Sequence, residues 1–280
     1  MPPRTTPTRL RVRRLRPSTL KPYRLHLIVG KRGCGKTTLL KDLLYHFRNS
    51  VDFAIAMSPT AESANMLRQV MPPACVYDTY SPAVVEQLVA LSQELAHGGK
   101  IRHLMLIADD VLYDRAVFRS PAIRNIFFNG RHLHVTFIIL VQYMMDLTPD
   151  LRAQIDYLYI MRENIVTNRQ RIYKHLFGCV PTFDMFQSLM DACTQNFECL
   201  CLDNTNPTDD ASSGISWYKA QIDLPTFHMG RRVYYQLNHT CRRSKPLAHD
   251  AATRRARMTL HVDKDEDDRE STEDEGSSDA

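Results

Sequence analysis

The chain has 280 residues, 44% of them hydrophobic and 24% charged, a composition that supplies a sizeable folded core in one large domain or two small ones. No run approaches about eighteen consecutive apolar residues, so no membrane-spanning helix is expected, and no apolar segment follows the N-terminal basic residues, which argues against a secretory signal. The net charge of +5 conceals a segregation: residues 25–240 balance 20 Lys and Arg against 20 Asp and Glu, while the two ends are strongly charged.

Residues 1–24 hold eight basic residues and no acidic one. Residues 241–257 hold six basic residues against Asp250, and residues 258–280 hold ten acidic residues against Lys264 and Arg269. Segments of this kind bury too little apolar surface to fold alone. The expected organisation is therefore a basic disordered arm over 1–21, a folded domain over 22–237 and a disordered tail over 238–280, basic at 242–257 and acidic at 263–279. Seven cysteines (Cys34, Cys75, Cys179, Cys193, Cys199, Cys201 and Cys241) include no C-x-x-C pair. Their odd number suits free thiols in a reducing compartment. No His pair is spaced to complete a zinc site with Cys199 and Cys201.

Within the body, strand and helix patterns alternate. Leu25–Gly30 is a short apolar run that ends in glycine, as a buried parallel strand does. Gly30-Lys31-Arg32-Gly33-Cys34-Gly35-Lys36-Thr37 follows at once and satisfies G-x-x-x-x-G-K-S/T. Backbone N–H groups must wrap a phosphate closely there, and glycines permit the dihedrals. Lys36 would place its charge on the β and γ phosphates, and Thr37 would bind Mg²⁺. Residues 30–38, Thr38 included, form the expected nucleotide cradle, with ATP as the ligand. Lys36–Phe47 has helical spacing, and its N-terminus faces the anion.

Further elements are expected at Val51–Met57 (strand), Ala61–Val70 (helix), Ala74–Tyr77 (short strand) and Pro82–Ala96 (helix stopped by His97-Gly98-Gly99). His103–Ala108 is a strong strand ending in Asp109-Asp110. A second strand with a terminal Asp is where a phosphate-loop protein holds Mg²⁺ through water, so Asp109 is assigned to the metal and Asp110 to polarising the attacking water. Many such enzymes carry Glu at the second position, one methylene longer than Asp110. Ser120–Asn129 reads as a helix with Ser120 as N-cap. Val135–Val141 is the most strand-like segment, and Gln142 at its end is placed as a γ-phosphate or water sensor. Tyr157–Met161 is another strand, helices fill 167–177 and 182–193, and Cys199–Leu202 with Ile215–Gln221 reads as a hairpin across the polar loop Asp203–Gly214. The alternation implies an α/β fold with a mainly parallel sheet, helices on both faces and an antiparallel edge. A strand between the phosphate-loop strand and Asp109, ending in a polar sensor, is the pattern of RecA-like additional-strand ATPases. Ras-type GTPases lack that strand and need an Asn-Lys-x-Asp segment absent here.

Taken together, the phosphate loop, the Asp109-Asp110 strand end, Phe128-Asn129-Gly130-Arg131-His132, Thr136 to Gln142-Tyr143, and Pro149-x-Leu151-Arg152-x-x-Ile155-Asp156-Tyr157 resemble the genome-packaging ATPases of nucleocytoplasmic large DNA viruses. These form the poxvirus-type branch of the FtsK–HerA superfamily. The resemblance runs from about Leu25 to Asn204. It implies ATP hydrolysis with Mg²⁺, a hexameric or pentameric homo-oligomeric ring, and movement of double-stranded DNA into a preformed capsid. Contacts with capsid or inner-membrane virion proteins, and a place in the host cytoplasm at viral factories, in the nucleus or with the virion, follow as expectations. In cellular FtsK-like pumps a Gly-Arg segment ahead of the sensor strand supplies an arginine to the neighbouring subunit, which assigns that role to Arg131, with Arg152 as the alternative. The basic segments suit phosphate contacts with DNA and equally suit solubilising or nuclear-targeting tails. Two other readings fit the same motifs: a P-loop helicase or AAA-like remodeller, and a nucleotide-gated capsid-assembly scaffold.

Overall fold

A computed structural model of the chain describes residues 12–111, 117–205 and 211–236. The tail over 238–280, with its basic cluster and acidic stretch, and residues 1–11 of the arm lie outside the described residues. In chain order the elements are β1 (Arg13–Arg14), β2 (Leu25–Val29), α1 (Lys36–Phe47), β3 (Phe53–Met57), α2 (Ala61–Val70), β4 (Val76–Tyr77), α3 (Pro82–His97), β5 (Leu104–Asp109), α4 (Pro121–Asn129), β6 (Val135–Val141), α5 (Pro149–Arg152), β7 (Tyr157–Ile160), α6 (Val166–Leu176), α7 (Phe183–Cys193), β8 (Glu198–Asp203) and β9 (Ile215–Lys219). Ser120 precedes α4 as expected but makes no side-chain cap.

Among the described residues the strands form one sheet in the order β1-β9-β8-β7-β2-β6-β5-β3-β4. The block from β7 to β4 is parallel throughout, and β8 pairs antiparallel with both β7 and β9. Strand β6 inserts between β2 and β5, which is the additional-strand arrangement.

Both faces of the sheet are covered, and side-chain parity shows how. Leu27, Val29, Leu106, Phe137 and Ile139 join one core with Leu88 of α3, Ile126 of α4 and Phe186 of α7. Ile28, Ile107, Ile138 and Leu140 join the opposite core with Leu40 and Leu43 of α1 and Leu67 of α2. Successive strand residues point to opposite faces, so a strand covered on both sides must read as a continuous apolar run, as β5 and β6 do. Each such buried aliphatic contributes roughly 1.5–3 kcal/mol.

The expected arm is shorter than its charge suggested. Arg13–Arg14 pairs parallel with β9, and the Leu15 amide donates to the Trp217 carbonyl at 2.8 Å. Arg14 lies over the Trp217 ring, 5.6 Å from its centroid. Val12, Leu15 and Leu20 are interspersed among the arginines and pack partly buried against the two cores. That spacing, rather than net charge, places residues 12–20 on the domain. After β9 the chain returns across the sheet to α2: Phe227, Met229 and Tyr234 are buried, and the Met229 amide donates to the Val70 carbonyl.

His26 of β2 is fully buried, stacked on Tyr157 at 4.8 Å and hydrogen-bonded with the Tyr159 hydroxyl at 3.2 Å. Burial, reinforced by His103, lowers its pKa to about 3. The unfolded chain therefore binds a proton below about pH 6.5 that the folded chain refuses. The corresponding stability is present above that pH and drains as pH falls towards the folded value. His26 alone should cost about 2 kcal/mol between pH 6.5 and 5. Urea midpoints at pH 7 and 5 should differ less in His26→Phe than in the parent chain. An equal difference would show that His26 does not titrate on unfolding.

Candidate nucleotide-binding site

A parallel sheet delivers the C-terminal ends of its strands to one edge. Here β2 delivers the phosphate loop, β5 delivers Asp109 and Asp110, and β6 delivers Gln142. The loop's shape follows from its glycines. Gly33 and Gly35 adopt φ of +75° and +98°, in the left-handed region that other L-residues avoid. A Cβ on Gly30 would stand 2.5 Å from Cys34 Sγ and 2.6 Å from Met161 Cβ, so only glycine fits. Gly35 is the N-cap of α1, with no side-chain cap and no acidic residue in the first turn. A helix N-terminus with no carboxylate in its first turn favours an anion. Lys31 is pinned at 2.9 Å to Glu163, whose carboxylate also accepts from the Ile165 amide and from Asn168.

Lys36 is only 7% exposed. Its ammonium donates to the Gly30 carbonyl at 2.7 Å and the Lys31 carbonyl at 3.2 Å, and lies 3.9 Å from Asp110 Oδ2. Asp109, 3% exposed, belongs by parity to the α1 face of β5, where Ser58 Oγ donates to its Oδ2 at 3.0 Å. Burial raises the Asp109 pKa, and hydrogen bonds from Ser63 and Ser58 oppose that rise. Thr37 Oγ1 shares a 3.1 Å hydrogen bond with Ser63 Oγ. Asp110 has φ of +51°, a conformation Asp tolerates better than most residues. Its carboxylate meets Gln142, whose Nε2 donates to Oδ2 at 3.0 Å. Lys36, Thr37, Asp109, Asp110 and Gln142 are thus brought together as expected.

The loop opens on a cleft of about 880 Å³ lined by Lys31, Arg32, Gly33, Gly35, Lys36, Thr37, Thr38, Asp109 and Asp110, and also by Ser63, Phe197 and Ile222. Cys34 lies behind the loop, half-buried, and burial raises its pKa against the pull of Lys36. Sequence reasoning missed Ser58, Ser63, Phe197 and Ile222. Serine, phenylalanine and isoleucine carry no spacing signal of their own, and only the sheet order brings them here.

Neither arginine enters this chain's own cleft. Arg131 precedes β6, so it stands at the opposite edge of the sheet, about 20 Å away along the seven residues of β6. It is 62% exposed at its side chain and pairs at 2.5 Å with Asp156 Oδ1, whose Oδ2 accepts from the Leu25 amide at 3.0 Å. Arg152 is buried, donates to the Leu147 carbonyl at 2.8 Å, and has its pKa lowered by burial.

Comparison with known proteins follows the same lines. The family model described as "Poxvirus A32 protein" matches residues 13–176. "Uncharacterized protein 015R" of Frog virus 3 (isolate Goorha) is 33% identical over 215 residues, covering 75% of this chain and 66% of that protein. "Uncharacterized protein 088R" of Invertebrate iridescent virus 3 is 32% identical over 200 residues, covering 70% of this chain and 75% of that protein. Among solved structures, the DNA-packaging ATPase of Sulfolobus Turreted Icosahedral Virus superposes with a TM-score of 0.53 at 18% identity, covering 72% of this chain and all of that one. The genome-packaging NTPase of Sulfolobus turreted icosahedral virus 2, solved with ATP-gammaS, gives 0.50 at 18% identity, covering 71% of this chain and 98% of that one. At that identity the structures establish the shared fold, whereas the family match spans more than half the chain and covers the phosphate loop, both aspartates, Gln142 and Arg131. The chain belongs to the poxvirus A32 protein family, the poxvirus-type packaging ATPases that its motifs resemble.

Proposed function

We propose that this protein is an ATP-hydrolysing motor that translocates double-stranded viral DNA into the capsid during virion assembly, working as a homo-oligomeric ring. The observation that carries the ATPase reading is the junction of β2, β5 and β6, where Lys36, Asp109, Asp110 and Gln142 converge on one loop. Family membership and the packaging role of the Sulfolobus virus proteins support the cargo. Contacts with capsid or inner-membrane virion proteins, and action in the host cytoplasm, nucleus or virion, belong to the same proposal.

In this reading the loop amides and Lys36 hold the β and γ phosphates. Water adds to the γ phosphorus, the β-phosphate oxygen leaves with ADP, and the water proton passes to the Asp110 carboxylate. Gln142 holds that carboxylate in place and can orient the water with its remaining amide atoms. The Thr37 hydroxyl and the Asp109 carboxylate are hard oxygen donors that would hold Mg²⁺, Asp109 through water. Bound there, the ion would neutralise phosphate charge.

The position of Arg131 bears on the ring. Its place at the far edge of the sheet, away from its own nucleotide cleft, is consistent with a role at a neighbouring subunit's site. Release from Asp156 is then part of engagement. Arg131→Ala should cost under about 1 kcal/mol of stability, because the arginine is exposed and the buried Asp156 keeps the Leu25 amide and Arg24 as partners. Asp156→Ala strands that buried amide and should cost about 1–3 kcal/mol. Denaturant unfolding measures both, and a larger loss for Arg131→Ala would make it a structural residue.

Lys36→Ala should abolish ATP turnover in a folded protein. Asp110→Asn should bind ATP and fail to release phosphate, and failure to bind would reassign Asp110 to the metal. Arg131→Ala should bind ATP yet hydrolyse it about 10³–10⁵-fold more slowly. Mixing it with Lys36→Ala should restore partial turnover, because some junctions then pair an intact loop with an intact arginine. Mixed rings that stay inactive exclude Arg131 as the shared arginine. Duplex DNA should stimulate hydrolysis without strand separation, and unwinding would favour a helicase.

A further inference from the structure

The turn between α7 and β8 breaks a local rule beside the phosphate loop. The Glu198 amide donates to the Gln195 carbonyl at 2.8 Å, closing a four-residue turn. Its central residues, Asn196 and Phe197, have φ of +50° and +63°. Positive φ at both central positions is the requirement of a type I′ turn, for which Asn-Gly is the preferred pair. Asn196 fits. Phe197 occupies the glycine position, where a bulky side chain is an outlier. The ring gains no burial in return, because Phe197 is 66% exposed.

What the ring does have is a position. Phe197 lines the phosphate-loop cleft, and its Cδ1 lies 3.4 Å from where a Cβ on Gly35 would stand. Ile222, 70% exposed, lines the same cleft. The antiparallel turn-round of β8 and β9 explains the meeting. Glu198 at the start of β8 pairs with Lys219 at the end of β9, so the residues before one strand and after the other reach the edge that carries the phosphate loop. The sheet therefore places two exposed apolar side chains beside a phosphate cradle. A nucleotide is a ligand with that division, a charged phosphate chain joined to a flat apolar base.

We infer that Phe197 is the stacking platform for the nucleotide base, with Ile222 lining the same subsite. The inference rests on the nucleotide-binding reading above and names the residues that take the other half of the ligand. Stacking on an aromatic face tolerates any base, so the platform contributes affinity without distinguishing adenine from guanine.

The test pairs two ligands and two variants. Calorimetry measures binding of a non-hydrolysable ATP analogue and of inorganic tripolyphosphate, which has no base. In Phe197→Gly the analogue should bind about ten-fold more weakly, while tripolyphosphate binds as before. Phe197→Trp should restore the analogue. Phe197→Gly should also melt at the same or a higher temperature, since glycine suits the turn. A residue kept for stability alone would give the opposite sign. Equal weakening of both ligands, or of neither, overturns the platform. Loss of oligomer by light scattering with both affinities unchanged also overturns it, and makes Phe197 a subunit contact. If neither ligand binds the parent chain, the nucleotide reading itself fails and the platform falls with it.

Discussion

Parallel backbone pairing of β6 with both β2 and β5 is the constraint from which the site follows. Leu25 to Val29 align with Phe137 to Val141, and Leu104 to Asp109 align with Val135 to Leu140. Registers of this kind fix where each strand ends relative to its neighbours. The phosphate loop, the two aspartates and Gln142 thus emerge side by side, although more than a hundred residues separate the first from the last. A slip of one residue would also exchange every apolar side chain between the two covered faces, so the cores that stabilise the sheet hold the spacing of the site too.

The two aspartates illustrate how one strand end supplies two environments. Asp109 remains within the pleat, buried on the α1 face, with serine hydroxyls opposing the cost of that burial. Asp110 leaves the pleat through a left-handed turn and meets Gln142 and Lys36. Buried carboxylates retain their charge only with donors or cations nearby. Here the serine hydroxyls supply donors to Asp109, and the Lys36 ammonium stands 3.9 Å from Asp110. The positive φ of Asp110 is what turns its carboxylate onto Gln142.

The opposite edge of the sheet is organised around another carboxylate. Asp156 closes the starts of β2 and β7 through the Leu25 amide and pairs with Arg131. Its burial contrasts with the exposure of the arginine, so the acid belongs to the fold while the arginine remains available at the surface. The antiparallel β8–β9 pair then carries the chain back to the phosphate-loop edge, and the segment after β9 returns over α2, with Tyr234 buried against β3.

The sequence by itself determined the phosphate loop, the strand-terminal acids and the alternating elements, because each is local. Glycines at fixed offsets, an apolar run bounded by acids, and helical periodicity are all set by neighbours in the chain. It also supplied the additional strand and the residue Gln142 that ends it. It misjudged residues 12–20, where charge outweighed the spacing of Val12, Leu15 and Leu20. Tertiary structure alone decided that Ser58 and Ser63 would serve Asp109 and Thr37, that Arg131 would pair with Asp156 at the far edge of the sheet, and that Phe197 would stand beside Gly35. Those contacts join residues far apart in sequence through strand order and direction, which no local pattern of residue types encodes.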